Sequence, residues 1–239
     1  MTGTRVVLVH GSMDRAAGLR AVVDRLTDLD VTTYDRRGYG SRTAEPVHGS
    51  IEEHVGDLML QIGATAAVVV GHSYGASVAL AAAARHPERV LAIGAFEPAL
   101  RWLSWWPEVT SAAVAIETAA RSGTGAAVEK FVRSAVGDAA WEGMSDDARS
   151  ARQAEGPALI AELAGLGRDE PPFTLADIGV PTVAGTGTRS PSHLRRAART
   201  VAAEVPGAEL YEITDAPHAA HLTHPAEFAD FVRRVVARV

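Results

Sequence analysis

Apolar positions along the chain alternate between two rhythms. Short runs rich in β-branched residues occupy Arg5–Val9, Val31–Tyr34, Ala66–Val70, Val90–Phe96, Pro181–Thr186 and Ala208–Ile213. Between them lie stripes with helical spacing. Ala16, Leu19, Val22, Val23 and Leu26 form one such stripe within Arg15–Leu29, and Ile51, Val55, Leu58, Met59 and Ile62 form another. An Ala-rich helix is expected directly after Val70, ending at His86-Pro87. Further helices are expected from about Pro191 to Val205, and from Pro225 with the stripe Phe228, Phe231, Val232, Val235 and Val236. Six strands alternating with helices predict an α/β fold, a mostly parallel sheet covered on both faces. The uninterrupted runs VVLV and AAVVV suit strands buried on both sides.

Residues 99–178 break this rhythm. They hold every tryptophan of the chain, Trp102, Trp105, Trp106 and Trp141, and no strong strand pattern. Ser111–Arg121, Gly125–Val136 and Asp146–Leu166 read as helices. A stretch this long exceeds an ordinary connection. The expected organisation is therefore a core of residues 1–98 and 179–239 carrying a helical cap or lid, residues 99–178. A plain set of connecting helices is the alternative.

Composition narrows the function classes. The 239 residues carry a formal net charge of −6, with 47% hydrophobic and 22% charged residues. That is ordinary for a globular protein of one domain. There is no long basic run, which argues against a nucleic-acid or anionic-membrane surface. No cysteine is present, which excludes thiolate catalysis, disulfides and Cys-ligated metals. The N-terminal apolar run Val6–His10 is too short for a signal-peptide core, and no stretch reaches the length of a membrane span. The cytoplasm is the expected compartment. The single lysine, Lys130, and the lack of asparagine are read as a compositional bias.

The chemistry is carried by Gly71-His72-Ser73-Tyr74-Gly75, a G-x-S-x-G pattern between a strand and a helix. A serine raised on so tight a turn needs neighbours without a Cβ two residues before and after it, and Gly71 and Gly75 supply that. Ala76 and Ala79 keep the next helical turn thin. The first free N–H groups of the helix lie beside Ser73 and favour developing negative charge. Serine needs a base, and the base an orienting acid. His218, His221 and His224 cluster near the C-terminus. His218 lies in the loop after the strand ending at Ile213, at the same sheet edge as Ser73. His221 can line a pocket or structure that loop, and His224 precedes Pro225 at a helix start.

Taken together, HGS (10–12), YDRRGYGSR (34–42), GHSYG (71–75) and the His-x-x-His-Leu-x-x-Pro segment (218–225) resemble the α/β-hydrolase superfamily, and within it small lid-bearing bacterial serine hydrolases. The resemblance implies Ser73 as nucleophile and His218 as base, although Pro217 stands where a Gly is usual. It implies an oxyanion hole from the backbone N–H groups of Ser12 and Tyr74, with Met13 as a substitute for Ser12. Two departures stand out. The hairpin strands that usually precede the HG strand are missing, and the loop Gly185–Pro191, where an Asp is usual, holds no carboxylate; Arg189 stands about there. A variant of the family carries its acid one strand earlier, where Glu97 follows Val90–Phe96. Glu97 is therefore the expected triad acid, with Asp215 or a dyad as alternatives. Asp35 is read as structural in its Asp35-Arg36-Arg37-Gly38 turn.

The expected activity is cleavage of an ester-type bond (ester, lactone or thioester) of a small, apolar substrate through an acyl-enzyme. Met13, Trp102, Trp105, Trp106 and His221 are the expected substrate contacts, the tryptophan cluster serving only to anchor the lid if it faces the sheet instead of the cleft. No metal or organic cofactor is expected, since no H-E-x-x-H, G-x-G-x-x-G or P-loop pattern occurs. The partner is a small-molecule substrate, and the oligomeric state stays open between monomer and homodimer. Acyl transfer, C–C hydrolysis and lyase chemistry on the same triad are the rival activities. Epoxide hydrolases and dehalogenases need an Asp at the elbow, which Ser73 replaces. A non-catalytic binding module is the remaining rival.

Overall fold

A computed structural model describes residues 4–166 and 171–239. The elements run β1 (Arg5–Val9), α1 (Arg20–Val23), β2 (Asp30–Thr33), α2 (Ile51–Ile62), β3 (Ala67–His72), α3 (Tyr74–Arg85) and β4 (Val90–Phe96). Then follow five helices: α4 (Ser111–Ser122), α5 (Thr124–Val136), α6 (Asp138–Glu142), α7 (Asp146–Gln153) and α8 (Gly156–Gly165). The chain closes with β5 (Thr182–Gly187), α9 (Ser192–Glu204), β6 (Glu209–Ile213), α10 (Ala220–Thr223) and α11 (Pro225–Val236). No helix among the described residues is long and apolar enough to cross a membrane.

All six expected strands form one sheet in the order β2-β1-β3-β4-β5-β6. Every neighbouring pair is parallel. Side chains of one strand alternate between two cores, as the pleat requires. Val7, Val9 and Val69 join the cluster under α2, α3 and α9. Val6, Leu8, Val68 and Val70 join the one under α1 and α11, with Phe228, Phe231 and Val235. β3 and β5 are buried at every position, which is why their sequences show no alternation. Helix α3 is buried from Tyr74 through Ala83. Its small side chains let the backbone lie close against the sheet, and that closeness fixes where Ser73 stands.

Two helices come out differently from their sequence patterns. The Arg15–Leu29 stripe is a 3-10 turn at Ala16–Leu19 running into the four-residue α1. Leu19, Val22 and Leu26 still reach the core. Asp24 caps the C-terminus of α1 and Asp28 follows, an arrangement that opposes the helix dipole. The single helix expected over Asp146–Leu166 is two, because Pro157 sits in the first turn of α8 and cannot lie inside a longer helix. The sequence pattern also missed α6, little more than one turn between Gly137 and Gly143.

Helices α4, α5, α6 and α8 share an apolar cluster that includes Ala115, Val128, Trp141 and Leu159 and takes in Met13 and Tyr39 from the sheet-bearing part. Residues 167–170, within the expected cap, lie outside the described residues.

Candidate active site

The turn between β3 and α3 carries Ser73 at φ 54° and ψ −120°, a conformation that L-residues rarely adopt. It is held from both sides. The Ser73 N–H donates to the Phe96 carbonyl (2.9 Å), and the Ser73 carbonyl accepts from Ala76 N–H at 2.9 Å and Ser77 N–H at 3.2 Å. A Cβ at Gly71 would stand 2.2 Å from the Gly75 carbonyl oxygen. One at Gly75 would stand 2.3 Å from the Val9 oxygen and 2.5 Å from that of His10. Both glycines are therefore demanded by backbone, which cannot move aside as a side chain can. Among the described non-glycine residues, only Met13, Ser73, Glu97 and Asp215 have positive φ. Three of these belong to the candidate site, where stored strain tends to collect.

Glu97 ends β4, fully buried. Its Oε2 lies 2.5 Å from His218 Nδ1. Its Oε1 accepts from Thr186 Oγ1 at 2.6 Å and from the Gly187 N–H at 2.8 Å. Burial pushes the Glu97 carboxyl pKa up, but the bonds from His218 and Thr186 outweigh it and hold the group below the usual carboxylate range. An ionised Glu97 needs the proton on His218 Nδ1, which leaves Nε2 free to accept one. Thr186 and Gly187 were not singled out in the sequence. Their signal was the loop without a carboxylate: the end of β5 instead supplies donors to Glu97.

His218 lines two cavities, of about 690 and 280 Å³, and Ser73 and Ser12 line both with it. Among the described residues the Ser73 hydroxyl makes no hydrogen bond. Apo sites commonly show such loose geometry, which tightens when substrate binds. The three C-terminal histidines have separate surroundings. His221 is 2% exposed, lines the smaller cavity and brings Nε2 to 3.0 Å from Asp14 Oδ2. Burial raises the Asp14 pKa, but His221, His10 and the Arg15 N–H together bring it below the usual carboxylate range. His224 pairs with Thr223 Oγ1 (2.8 Å) beside the start of α11. Asp215 donates its N–H to Thr188 Oγ1 (2.8 Å), and no bond joins it to His218 among the described residues. His72 braces the His218 loop through Nε2 and the His218 carbonyl, 2.9 Å apart, and its ring lies tilted with its centroid 4.5 Å from that of His218. Burial pushes the His72 pKa well down, so the ring is neutral and donates.

The three clustered tryptophans separate. Trp106 lines the larger cavity and meets the His193 ring edge-on at 5.0 Å. Trp102 and Trp105 line neither cavity, which corrects the expectation that they contact substrate. Trp102 packs edge-on against Phe173 at 5.1 Å, and Trp105 lies under the Arg196 guanidinium at 4.4 Å. All three rest against the sheet-side core, and Trp106 alone of them also reaches a cavity. Met13 and His221 do line the smaller cavity, with Phe131, Val132 and Met144. Tyr74 turns its ring beneath Arg36, 4.8 Å from ring centroid to guanidinium carbon, and lines the larger cavity beside Ser73. Asp35 accepts from Ala16 N–H (2.8 Å), Ser41 N–H (2.9 Å) and Ser41 Oγ (2.9 Å), a turn-stabilising role. Among the described residues no three His, Asp or Glu side chains converge as metal ligands do.

A model of the alpha/beta hydrolase family matches residues 6–231. An uncharacterised hydrolase of Bacillus subtilis strain 168, YraK, is 36% identical over 105 residues, a match covering 41% of this chain and 39% of that protein. Among solved structures, an enol-lactonase from Burkholderia xenovorans LB400 superposes with a TM-score of 0.75 at 21% identity. The alignment covers 99% of this chain and 92% of that one. A thermophilic esterase from Thermogutta terrifontis gives 0.76 at 22% identity, covering 99% and 90%. At these identities the structural likeness establishes the fold.

Proposed function

We propose that this chain, which belongs to the alpha/beta hydrolase family, is a hydrolase that cleaves ester-type bonds of small substrates through a Ser73–His218–Glu97 triad. The observation that carries the reading is the 2.5 Å contact between His218 Nδ1 and the buried Glu97 carboxylate, on a histidine that shares its cavities with Ser73. A carboxylate buried among donors, with its titratable partner lining the same cavities as a strained serine, supports general-base activation of that hydroxyl.

His218 Nε2 takes the Ser73 proton as Oγ attacks the carbonyl carbon. The negative charge on the carbonyl oxygen is met by the backbone N–H groups of Ser12 and Tyr74. Donors of this kind contribute roughly 3–4 kcal/mol each to the transition state. The imidazolium, held by Glu97, passes its proton to the leaving oxygen or sulfur. Water then attacks the acyl-enzyme by the same route in reverse. The apolar wall of the smaller cavity, Met13, Phe131, Val132 and Met144, favours an apolar group on one side of the scissile bond. Residues 99–178 act as the cap: Phe131, Leu163 and Trp106, all within them, wall the cavities over Ser73.

Chromogenic esters of graded acyl length test the proposal, run beside Ser73→Ala. Turnover should favour short and medium chains, and Ser73→Ala should lose about 10⁵–10⁶-fold. Hydrolysis undiminished in the variant removes the serine mechanism.

A further inference from the structure

A buried ion pair lies beneath the His10–Ser12 turn, between the sheet-bearing part of the chain and helix α8. Arg36 and Glu162 are both 0% exposed, and the Arg36 Nη1 donates to Glu162 Oε1. Buried pairs of this kind often stabilise a fold no more than apolar residues of equal volume. Their other bonds say what this one holds.

Arg36 grips the turn at three points. Its backbone N–H donates to His10 Nε2 (2.9 Å), its Nε to the His10 carbonyl (2.9 Å) and its Nη2 to the Gly11 carbonyl (3.1 Å). Because His10 Nε2 accepts, Nδ1 carries the ring proton and donates to the same Gly11 oxygen at 2.8 Å. The peptide between Gly11 and Ser12 is planar and trans, so its C=O and N–H point in opposite directions. Pinning the Gly11 oxygen toward Arg36 therefore turns the Ser12 N–H away from Arg36. Gly11 abuts Ser73 on its other side: a Cβ there would lie 3.0 Å from Ser73 Cβ.

Glu162 completes the clamp from α8. Its Oε2 accepts from Ser12 Oγ (2.8 Å), Tyr39 OH (2.8 Å) and Arg36 Nη2 (3.3 Å). The same carboxylate thus holds both Ser12 and the arginine that orients the Gly11–Ser12 peptide. The docking of α8 is tight, since a Cβ on Gly165 would stand 1.7 Å from the Gly49 oxygen. A second buried carboxylate at the start of α8, Glu155, accepts from Arg15 Nε at 2.7 Å and from the Gly40 N–H at 2.8 Å.

We propose that Glu162 is a positioning residue for the oxyanion hole: through Arg36 and the Ser12 hydroxyl it aims the Ser12 N–H, so that residues 99–178 assemble the hole as well as cover the cleft. This rests on the serine-hydrolase reading given above, with Ser12 as an oxyanion donor. A carboxylate that merely neutralised Arg36 would have no need of Ser12 Oγ.

Four proteins test it: wild type, Glu162→Gln, Ser12→Ala and the double variant Arg36→Met/Glu162→Met. Each is assayed on a chromogenic ester and by the affinity of a boronic acid, which forms a tetrahedral serine adduct. Glu162→Gln should lower kcat about 100-fold and weaken the boronate by a similar factor, with KM within twofold. Ser12→Ala, which adds no unpaired charge and keeps the backbone N–H, should lower kcat about tenfold at unchanged melting temperature. The double variant removes both charges, so it keeps its fold, and should stay as slow as Glu162→Gln. Recovery of turnover in the double variant, or unchanged kcat in Ser12→Ala, overturns the positioning role and leaves the triad standing. A wild type that neither turns over esters nor binds the boronate removes the hydrolase mechanism and this inference together.

Discussion

Glu97→Gln asks the most of the proposed triad. The glutamine side chain has the same shape, and its carbonyl oxygen can still accept from Thr186 Oγ1 and the Gly187 N–H, the two bonds that Oε1 makes at 2.6 and 2.8 Å. The fold should therefore hold. The other terminal atom becomes an NH₂ that faces His218 Nδ1, where Oε2 stood at 2.5 Å. Two donors cannot share that contact, so the imidazole moves its proton to Nε2. In that tautomer the ring offers Ser73 a hydrogen instead of a lone pair, and the imidazolium formed during attack loses its counter-charge. Wrong-tautomer losses of this type, as in the Asp→Asn change in chymotrypsin-fold enzymes, run to about 10⁴ in kcat. The expected fall is about 10³–10⁴, equivalent to roughly 4–5.5 kcal/mol of barrier, with KM within threefold and melting temperature within a few degrees. Steady-state ester hydrolysis and a thermal melt measure both. A variant that keeps more than a tenth of native kcat refutes the reasoning, since an orienting carboxylate cannot be dispensed with so cheaply.

Three further outcomes follow from the same geometry. His10, whose pKa burial and Arg36 push down to about 3, and His54 and His72, pushed well down chiefly by burial, are neutral in the folded chain. The unfolded chain protonates them below about pH 6.5, so their contribution to stability is complete above that pH and is lost progressively as pH falls from there toward their lowered folded-state values. Each should cost about 1.4 kcal/mol per pH unit, and urea midpoints that stay constant from pH 7 to pH 5 contradict this. Trp106→Ala should change chain-length preference with little effect on melting temperature, whereas Trp102→Ala, losing its contact with Phe173, should melt lower with kcat/KM unchanged; equal effects on both readouts for both variants argue against the division. Gly71→Ala should fail to yield active protein, because its Cβ meets the Gly75 backbone, while Gly56→Ala, with nothing within 4 Å, should stabilise α2 by about 0.5–1 kcal/mol, both read by activity and urea denaturation.

The sheet was legible because strands buried on both faces leave an unmistakable trace: VVLV and AAVVV admit no other burial, and each run became a strand of the parallel sheet. The Gly71–Gly75 turn was legible for a steric reason, since two glycines flanking a serine meet a backbone constraint that nothing else satisfies. The expectation for Glu97 needed the family resemblance, in which a variant carries its acid one strand earlier, together with the position of Glu97 at the carboxyl end of β4. What the sequence hid were relations between distant segments. Nothing in the helical pattern of Gly156–Gly165 marks Glu162 as a partner of Arg36, because a buried carboxylate and a solvated one look alike along a helix. The tryptophans behaved likewise: Trp102, Trp105 and Trp106 lie within five positions of one another, yet only Trp106 meets the cavity. Spacing determines which residues share an element, while the fold of the neighbouring segments decides which of them face a cavity.

The central claim is a serine hydroxyl activated by His218. The most direct measurement is reaction with a fluorophosphonate, followed by intact mass and peptide mapping. The account predicts one phosphonyl group per chain, carried on the peptide containing Ser73, with labelling slowed by orders of magnitude in His218→Ala. A natively folded chain that stays unlabelled, or one labelled at another residue, contradicts it.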